Sequence, residues 1–413
     1  MARKMKDSGI EWIGEIPEGW EVVPVKRLCT MQAGKNLTSE QIAPEGTYPV
    51  YGGNGIRGFF SDYNCDGQFL TVGRQGALCG NVHKINGKVW ATEHAVITTP
   101  SSYTILDFLY YLLIGMDLNQ YVSSTAAQPG LAVGTLLNLK TCYPCSKLEQ
   151  TQISNYLNAK CAEIDIMLSK TRSSIEDYKK LKQAVITQAV TKGVRGEREM
   201  KDSGVEWIGE IPKEFNPVQL KFFCKLITDG THFSPTTVEN GWPYITAGDV
   251  HGIGLDYNSA KRISEEDFQL LVAQGCQPLK GDVLLVKDGA TTGRVGFVDS
   301  DTPCVILSSV AMLRPADNAD GHYLMYLLAS DFLQKQILVS MAGSAMPRTT
   351  LTKLTKYIGL LPPLHEQKEI ANYLDAKCAE IDKLIAKKEQ LVKELESYKK
   401  SLIYEVVTGK REV

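Results

Sequence analysis

From Glu149 to Thr191 apolar residues recur three and four positions apart, and no Gly or Pro interrupts a run rich in Ala, Leu, Lys, Glu and Gln. Residues at that spacing share one helix face, so the stretch predicts a single long helix. It is written a second time, without a gap, from Glu366 to Thr408: each residue of the first copy lies 217 positions before its counterpart. Eleven of the thirteen residues of Ile153–Asp165 match Ile370–Asp382. Cys161, Ile164, Leu168, Ile175, Tyr178 and Val185 fall on the a and d positions of a heptad, as do Cys378, Ile381, Ile385, Val392, Leu395 and Leu402 in the copy. Polar residues interrupt both seams at matching places, Thr171 and Lys182 in one, Lys388 and Lys399 in the other. Such a seam predicts a coiled coil whose polar positions set register. Roughly 43 residues at 1.5 Å each give a rod of about 64 Å.

A shorter motif, Lys6–Pro17 (KDSGIEWIGEIP), returns as Lys201–Pro212 (KDSGVEWIGEIP), at an offset of 195 rather than 217. The inserts between motif and helix therefore differ, with 131 residues from Glu18 to Leu148 and 153 from Lys213 to His365. The chain reads as a tandem duplication that keeps its frame and lets its inserts diverge. Its expected parts are residues 1–148 (motif and first insert), 149–195 (first long helix and linker), 196–365 (second motif and insert) and 366–413 (second long helix). Trp12, Ile13 and Ile16, with Trp207, Ile208 and Ile211, are expected to dock their loops on an apolar surface, the chain start lying near a helix end. The charged, Gly-broken segment Lys192–Met200 reads as a surface linker.

Inside the first insert, short β-type runs at 47–51, 59–60, 68–72, 89–90 and 95–99 alternate with turn residues; Leu106–Leu113 reads as helix and Thr135–Cys142 as a further strand. The second insert has the same grammar, with strands expected at Ile227–Thr231, Tyr244–Asp249, Asp282–Lys287 and Val295–Val298, then one long helical stretch, Tyr323–Leu338. Thr291–Arg294 answers the turn at Gln75-Gly76, and Gly343–Thr350 parallels Thr125–Gly130. The pattern implies an α+β fold used twice with two different surfaces. A Pro-bearing junction, Tyr143-Pro144 or Leu361-Pro362-Pro363, stops the last strand and feeds each helix.

With 413 residues and 43% apolar content the chain has ample material for several buried cores. A net charge of −2 carries no basic signature, so a nucleic-acid binder with this balance would have to sort its positive charge onto one face. Ten cysteines without a signal peptide fit a reducing cytosol, and the single Cys142/Cys145 pair lacks the second pair a zinc site needs. The longest apolar-rich run, Leu106–Met116, is too short to span a bilayer, so no membrane association is expected. There is no phosphate loop, and Gly252 and Gly254 make only a lone GxG. The six histidines form no HExxH pair. Asp282, Lys287 and Asp288 resemble a metal-nuclease trio less than a strand ending in a solvated turn. A large repeated protein with no catalytic set reads as a binder, with no metal and no cofactor expected in this chain.

Two like domains set apart by a stiff spacer suit an extended ligand with two half-sites, and double-stranded DNA offers such sites at helical-turn spacing. The Gly-rich turns hold the candidate contacts: Asn54, Arg57, Arg74, Gln75 and Lys84 in the first insert, and Thr231, His232, Lys287, Thr291 and Arg294 in the second, joined by Arg348. Arg and Lys match guanine, and Asn and Gln match adenine, in the major groove. For Arg57, Arg74, Arg294 and Arg348 an exposed surface charge is an equally good reading, and a coiled-coil scaffold with two protein- or glycan-binding domains is the rival function.

Longer signatures resemble one family, the specificity subunits of type I restriction–modification systems. They are WIGEIPEGWEVVPVKRL (Trp12–Leu28), YPVYGGNGIRGFF (Tyr48–Phe60), GRQGALCGNV (Gly73–Val82), TDGTHFSP (Thr228–Pro235), GDVLLVKDGATTGRVG (Gly281–Gly296) and LPPLHEQKEIANYLDAK (Leu361–Lys377). The first-half counterpart of the last departs from it, with Cys-Ser-Lys-Leu in place of Pro-Pro-Leu-His, but keeps Glu149-Gln150. The resemblance implies an α+β protein of two tandem target recognition domains joined by two long antiparallel coiled-coil helices with pseudo-two-fold symmetry. Each domain would read one half of a bipartite DNA target, and the helices would set the unread spacer. Lys182 and Lys399, or Thr171 and Lys388, would mark register within one molecule. The resemblance also implies a cytoplasmic, non-catalytic subunit of an adenine methyltransferase and restriction endonuclease. Its partners would be two modification (methyltransferase) subunits, which would carry S-adenosylmethionine, and motor-endonuclease subunits.

Overall fold

A computed structural model describes residues 3–76, 79–122, 130–205, 207–251, 253–341 and 347–413. Contacts divide the chain into two compact units, Met1–Arg172 with Glu389–Val413, and Ser173–Lys388. The long helices are continuous over Lys147–Lys192 and Leu364–Val407, 46 and 44 residues. Each unit therefore contains one insert, the N-terminal part of one long helix and the C-terminal part of the other.

In the first unit the strands are β1 (Cys29–Ala33), β2 (Tyr48–Gly52), β3 (Gly55–Phe60), β4 (Gln68–Gly73), β5 (Val82–Asn86) and β6 (Ala95–Pro100). They form an antiparallel sheet in the order β1-β6-β4-β5, beside a hairpin of β2 and β3 whose first strand also pairs in parallel with Trp90–Ala91. Alternation along β4 sends Leu70 and Val72 into the main core and Phe69 into a small one with Ile85 and Val89. Helix α1 (Leu106–Gly115) lays Phe108, Leu109, Leu112 and Leu113 on that main core, which also takes Ile153, Leu157 and Cys161 of the first long helix.

The second unit repeats the plan. Strands β7 (Cys224–Asp229), β8 (Thr237–Ile245), β9 (Val283–Val286), β10 (Val295–Phe297) and β11 (Val310–Pro315) give a sheet in the order β7-β11-β9-β10. Strand β8 pairs antiparallel with Lys261–Ile263 and parallel with Val305–Ile306. The longer insert adds helix α2 (Glu265–Ala273), started by Ser264 Oγ accepting from Asp267 N and held by Phe268, which stacks on Trp242 at 4.5 Å.

Three expected elements are corrected. The strand expected at Tyr244–Asp249 ends at Ile245, and Ala247–Asp249 form a short 3-10 helix opened by Thr246. Residues 135–138 belong to a short helix, Val133–Asn138, and the strand starts later, at Lys140–Pro144, because it pairs with Trp20–Pro24. Tyr323–Leu338 is not one helix but two, α3 (Gly321–Ala329) and α4 (Asp331–Met341). Ser330 between them is extended, with its Oγ donating to Leu327 O and its carbonyl accepting from Gln334 N. The proposed parallel of Gly343–Thr350 with Thr125–Gly130 lies largely outside the described residues, as does Gly252 of the GxG.

The segment Lys192–Met200 lies at the surface, with no buried residue, and is tied down by ion pairs. Arg195 makes two hydrogen bonds to Glu369, at 2.9 and 2.8 Å, and Arg198 pairs with Glu366, which is only 1% exposed. The repeat places Arg3 against Glu149 in the first unit, each arginine also lying over an aromatic ring, Trp20 or Phe215. The adjacent glutamine closes each strand-to-helix junction. Gln150 accepts from Ile105 N and donates to Tyr103 O and Pro144 O, while Gln367 accepts from Asp320 N and donates to Asn318 O and Pro362 O. Both glutamines are fully buried, so the Glu-Gln pair is kept in each copy for a structural reason.

The short motifs pack differently. Ile13 and Ile16 are buried, and Tyr404 near the end of the second long helix donates to the carbonyls of Trp12 and Ile13. Ile211 is equally buried but Trp207 is 58% exposed. Thr187 stands where the repeat would put a second tyrosine, and its hydroxyl accepts from Asp331 N instead.

All twelve seam positions of the long helices are buried or half-buried. Toward the end of the first helix the buried set moves to Ile186, Ala189 and Val190, which enter the second unit's core. In the first unit Lys399 Nζ donates to both carboxylate oxygens of Asp165 at 2.7 Å. In the second, Lys182 Nζ donates to those of Asp382 at 2.8 and 2.6 Å. These are the same pair in the two copies, since Asp165 and Asp382, like Lys182 and Lys399, stand 217 positions apart. Lys388 lies over the ring of Tyr178, and Thr171 turns its hydroxyl to Met167 O of its own helix.

Candidate nucleic-acid interface

The Gly-rich turns after β4 and β9 are built alike. Gly73 N donates to Asn81 O and Gly80 N to Gly73 O; in the second unit Val286 N donates to Arg294 O and Gly293 N to Val286 O. The next residue is held by two more bonds in each case: Arg74 N to His94 O with Leu131 N to Arg74 O, and Lys287 N to Ser309 O with Thr349 N to Lys287 O. Arg74 thus corresponds to Lys287, Gln75 to Asp288, Asn81 to Arg294 and His94 to Ser309. Gly80 and Gly293 have φ near +94° and +98°, a backbone that L side chains resist. At Gly73 a Cβ would sit 1.8 Å from Gly53 O, so only glycine lets the β2–β3 hairpin tip close against this turn.

That closure gathers Asn54, Arg57 and Gln75 around one groove of about 540 Å³, with Ile56, Gly53, Gly76 and His94 as its other walls. Asn54 and Arg57 are exposed, Asn54 Oδ1 accepting from Asn81 Nδ2 at 2.7 Å. Arg57 and the half-buried Arg74 make no ion pair among the described residues. Unpaired guanidinium groups beside amide side chains supply the donors and acceptors that base edges require.

Lys84 stands apart from this set. Its ammonium is 2.8 Å from Asp107 Oδ1 and 3.4 Å from Asn158 Oδ1, and it lies over the rings of Tyr110 and Tyr111. Burial raises the Asp107 carboxyl, but the bonds from Lys84 and Asn158 outweigh it and hold the group below its ordinary range. Lys84 thus ties β5 to α1 and the first long helix.

In the second unit Arg294 is exposed and makes no ion pair among the described residues, and Thr291, half-buried on the same turn, accepts from Arg294 N. His232 is exposed; Thr231 is 5% exposed and its hydroxyl accepts from Phe233 N, so it shapes the turn and leaves the outward surface to His232 and Phe233. Lys287 is also turned inward. It is 3% exposed, with Nζ 3.3 Å from Asp229 Oδ2 and 2.8 Å from Asp288 Oδ2. Arg348 is exposed, with Nε 2.9 Å from Asp288 Oδ1. Asp282, at the other end of β9, is taken by Arg314 through bonds of 3.0 and 2.8 Å.

Sequence reasoning overlooked Ile56 and His94 as groove walls and weighed Asp288 only as a metal ligand. An isoleucine and a histidine in single copy carry no local signal, and only the closure of the hairpin on the turn brings them together.

The model of the type I restriction modification DNA specificity domain matches residues 17–177 and again 212–394. The chain belongs to this family. A stretch of 121 residues is 45% identical to the specificity subunit of the type I restriction enzyme EcoprrI of Escherichia coli, covering 28% of this chain and 30% of that protein. The specificity subunit of the enzyme MjaVIII of Methanocaldococcus jannaschii is 25% identical over 422 residues, 96% of this chain and 93% of that one. A solved structure described as the basis of complex assembly and conformational transition of the type I restriction-modification system aligns with a TM-score of 0.71 at 16% identity, covering 96% of this chain and 99% of its own. At that identity the likeness is one of fold. The two matched segments of this specificity-family chain each contain one of the equivalent turns. Among the described residues no helix is long and apolar enough to cross a membrane.

Proposed function

We propose that this chain is the DNA-reading subunit of a type I restriction–modification complex, in which each insert reads one half of a bipartite double-stranded target. The observation that carries the reading is that two domains of one topology carry different side chains at equivalent turn positions: Arg74, Gln75 and Asn81 in one, and in the other Asp288 and Arg294, with Lys287 turned inward where the first domain has Arg74. One frame with two side-chain sets is what an asymmetric target of two words needs. Family membership favours this over a scaffold binding proteins or glycans.

The long helices act as an antiparallel coiled coil that fixes the unread spacer and docks two modification subunits. What supports the reading is that the lysine–aspartate pairs Lys399–Asp165 and Lys182–Asp382 join equivalent residues of the two copies. S-adenosylmethionine and the methyl-transfer chemistry belong to those subunits, and motor-endonuclease subunits complete restriction. Partner subunits also supply much of the phosphate clamp, which fits the chain's net charge of −2. The test is long-read methylome sequencing of a host expressing this chain with its modification subunit. A two-part adenine-methylated motif with a fixed gap supports the reading; an uninterrupted motif, or no chain-dependent methylation, refutes it.

A further inference from the structure

We infer that Asp288 is a positioning residue that aims Arg348 at a base edge in the second half-site, anchored by the buried Lys287 and the half-buried Asp229. The inference rests on the DNA-reading function proposed above. The four side chains form a chain of ion pairs through the buried Lys287, with Asp229 22% exposed at one end: Asp229 Oδ2 to Lys287 Nζ at 3.3 Å, Lys287 Nζ to Asp288 Oδ2 at 2.8 Å, and Asp288 Oδ1 to Arg348 Nε at 2.9 Å. Side-chain exposure is 3% at Lys287, 24% at Asp288 and 59% at Arg348. The formal charges cancel, so burying the inner members leaves no charge uncompensated.

The backbone holds the last of these pairs. Asp288 and Arg348 face each other in an antiparallel bridge, flanked by Gly289 N donating to Pro347 O at 3.0 Å and Thr349 N to Lys287 O at 2.9 Å. Asp288 Oδ1 is buried and accepts no hydrogen bond among the described residues, so the 2.9 Å contact is an ion pair that draws Arg348 in at Nε; its two terminal amino groups stay open to another acceptor pair, and its planar fork matches the O6 and N7 of guanine. Restraint before binding lowers the ordering cost when DNA arrives. The first domain lacks this device. Its corresponding positions are Ala33 at the end of β1, Arg74, Gln75, and Gly130 facing Gln75. Lys287 therefore does not repeat the role of Arg74; the outward cation has moved to Arg348.

The experiment uses the methyltransferase complex assembled on the full chain. Wild-type methylome sequencing defines the motif, and a duplex carrying it serves for steady-state kinetics. Asp288→Asn keeps the Lys287–Asp229 pair while removing the charged grip on Arg348. The expected result is relaxed preference at one base position in one half of the motif, the other half intact, and a KM for the duplex raised about tenfold at unchanged kcat. An unchanged motif and KM overturn the inference. If Asp288→Asn lowers the melting temperature, Arg348→Ala decides: relaxation confined to one half supports the inference, and an unchanged half overturns it. A wild-type complex without a two-part motif overturns the DNA-reading proposal and this inference with it, before any variant is made.

Discussion

Reversing one charge in the long-helix pair gives a quantitative test of register. Lys182 and Asp382 are 22% and 52% exposed at their side chains and meet at 2.6 Å. An ion pair that accessible contributes about 0.2–1 kcal/mol once desolvation and side-chain entropy are counted. Lys182→Glu removes that attraction and sets two carboxylates face to face, which adds a penalty of similar size, so the single variant should lose about 0.4–2 kcal/mol. Asp382→Lys should do the same, while the exchanged pair Lys182→Glu with Asp382→Lys should return to within a few tenths of a kcal/mol of the parent. The assay is denaturant unfolding of the four proteins at low salt and at 1 M salt, where a Debye length of about 3 Å screens the pair and shrinks the coupling. Lys399 and Asp165, the equivalent pair in the other unit, provide an independent repeat. A coupling near zero at low salt, or one that salt leaves unchanged, would refute the claim that these pairs set register.

Further outcomes concern the junctions, the candidate interface, acid stability and the spacer. Gln367→Ala leaves a buried N–H and two carbonyls without their partner, and should cost about 2–4 kcal/mol in denaturant unfolding, with Gln150→Ala doing the same in the first unit. Arg57→Ala should weaken binding of the assembled methyltransferase to its target by about 1–3 kcal/mol, whereas Lys84→Ala should leave base preference alone because Asp107 holds that ammonium. Burial holds the His83 imidazole below its ordinary value of 6.5, so the unfolded chain binds the extra proton. Stability is therefore complete above that value and declines as pH falls below it, by at most about 1.4 kcal/mol per pH unit, and His83→Gln should flatten this part of the profile in melts from pH 7.5 to 5. Deleting seven residues from one long helix should change the unread gap in the methylated motif or prevent assembly; full activity on an unaltered motif would show that the helix is not a ruler.

The long helices were legible because heptad spacing over dozens of residues leaves few alternatives, and because the stretch occurs twice. The shared fold of the inserts was legible more coarsely, through runs such as Gln68–Val72 and Val295–Val298. Strands Trp20–Pro24 and Cys29–Ala33 were missed because each mixes polar and apolar residues and is defined by a partner far along the chain, Lys140–Pro144 or Ala95–Pro100. The break at Ser330 escaped because apolar spacing runs through it, while the Ser-Asp pair that ends one helix and starts the next is a weak local signal. At the interface, residue type and turn location sufficed to propose Asn54, Arg57 and Gln75, which one groove gathers. They could not reveal that Thr231 and Lys287 face inward, or that the exposed Lys84 is drawn to Asp107, because each is turned by a group distant in sequence or by the turn's own backbone. Charge in a sequence says nothing about which carboxylate is nearby.

If each insert reads its own half-site, exchanging one insert must change one half of the motif alone. Replacing Glu18–Leu148 with the first insert of another family member, then sequencing the methylome of a host that also carries the modification subunit, should yield a motif with one half replaced and the other half and its gap retained. A motif altered in both halves would contradict modular reading.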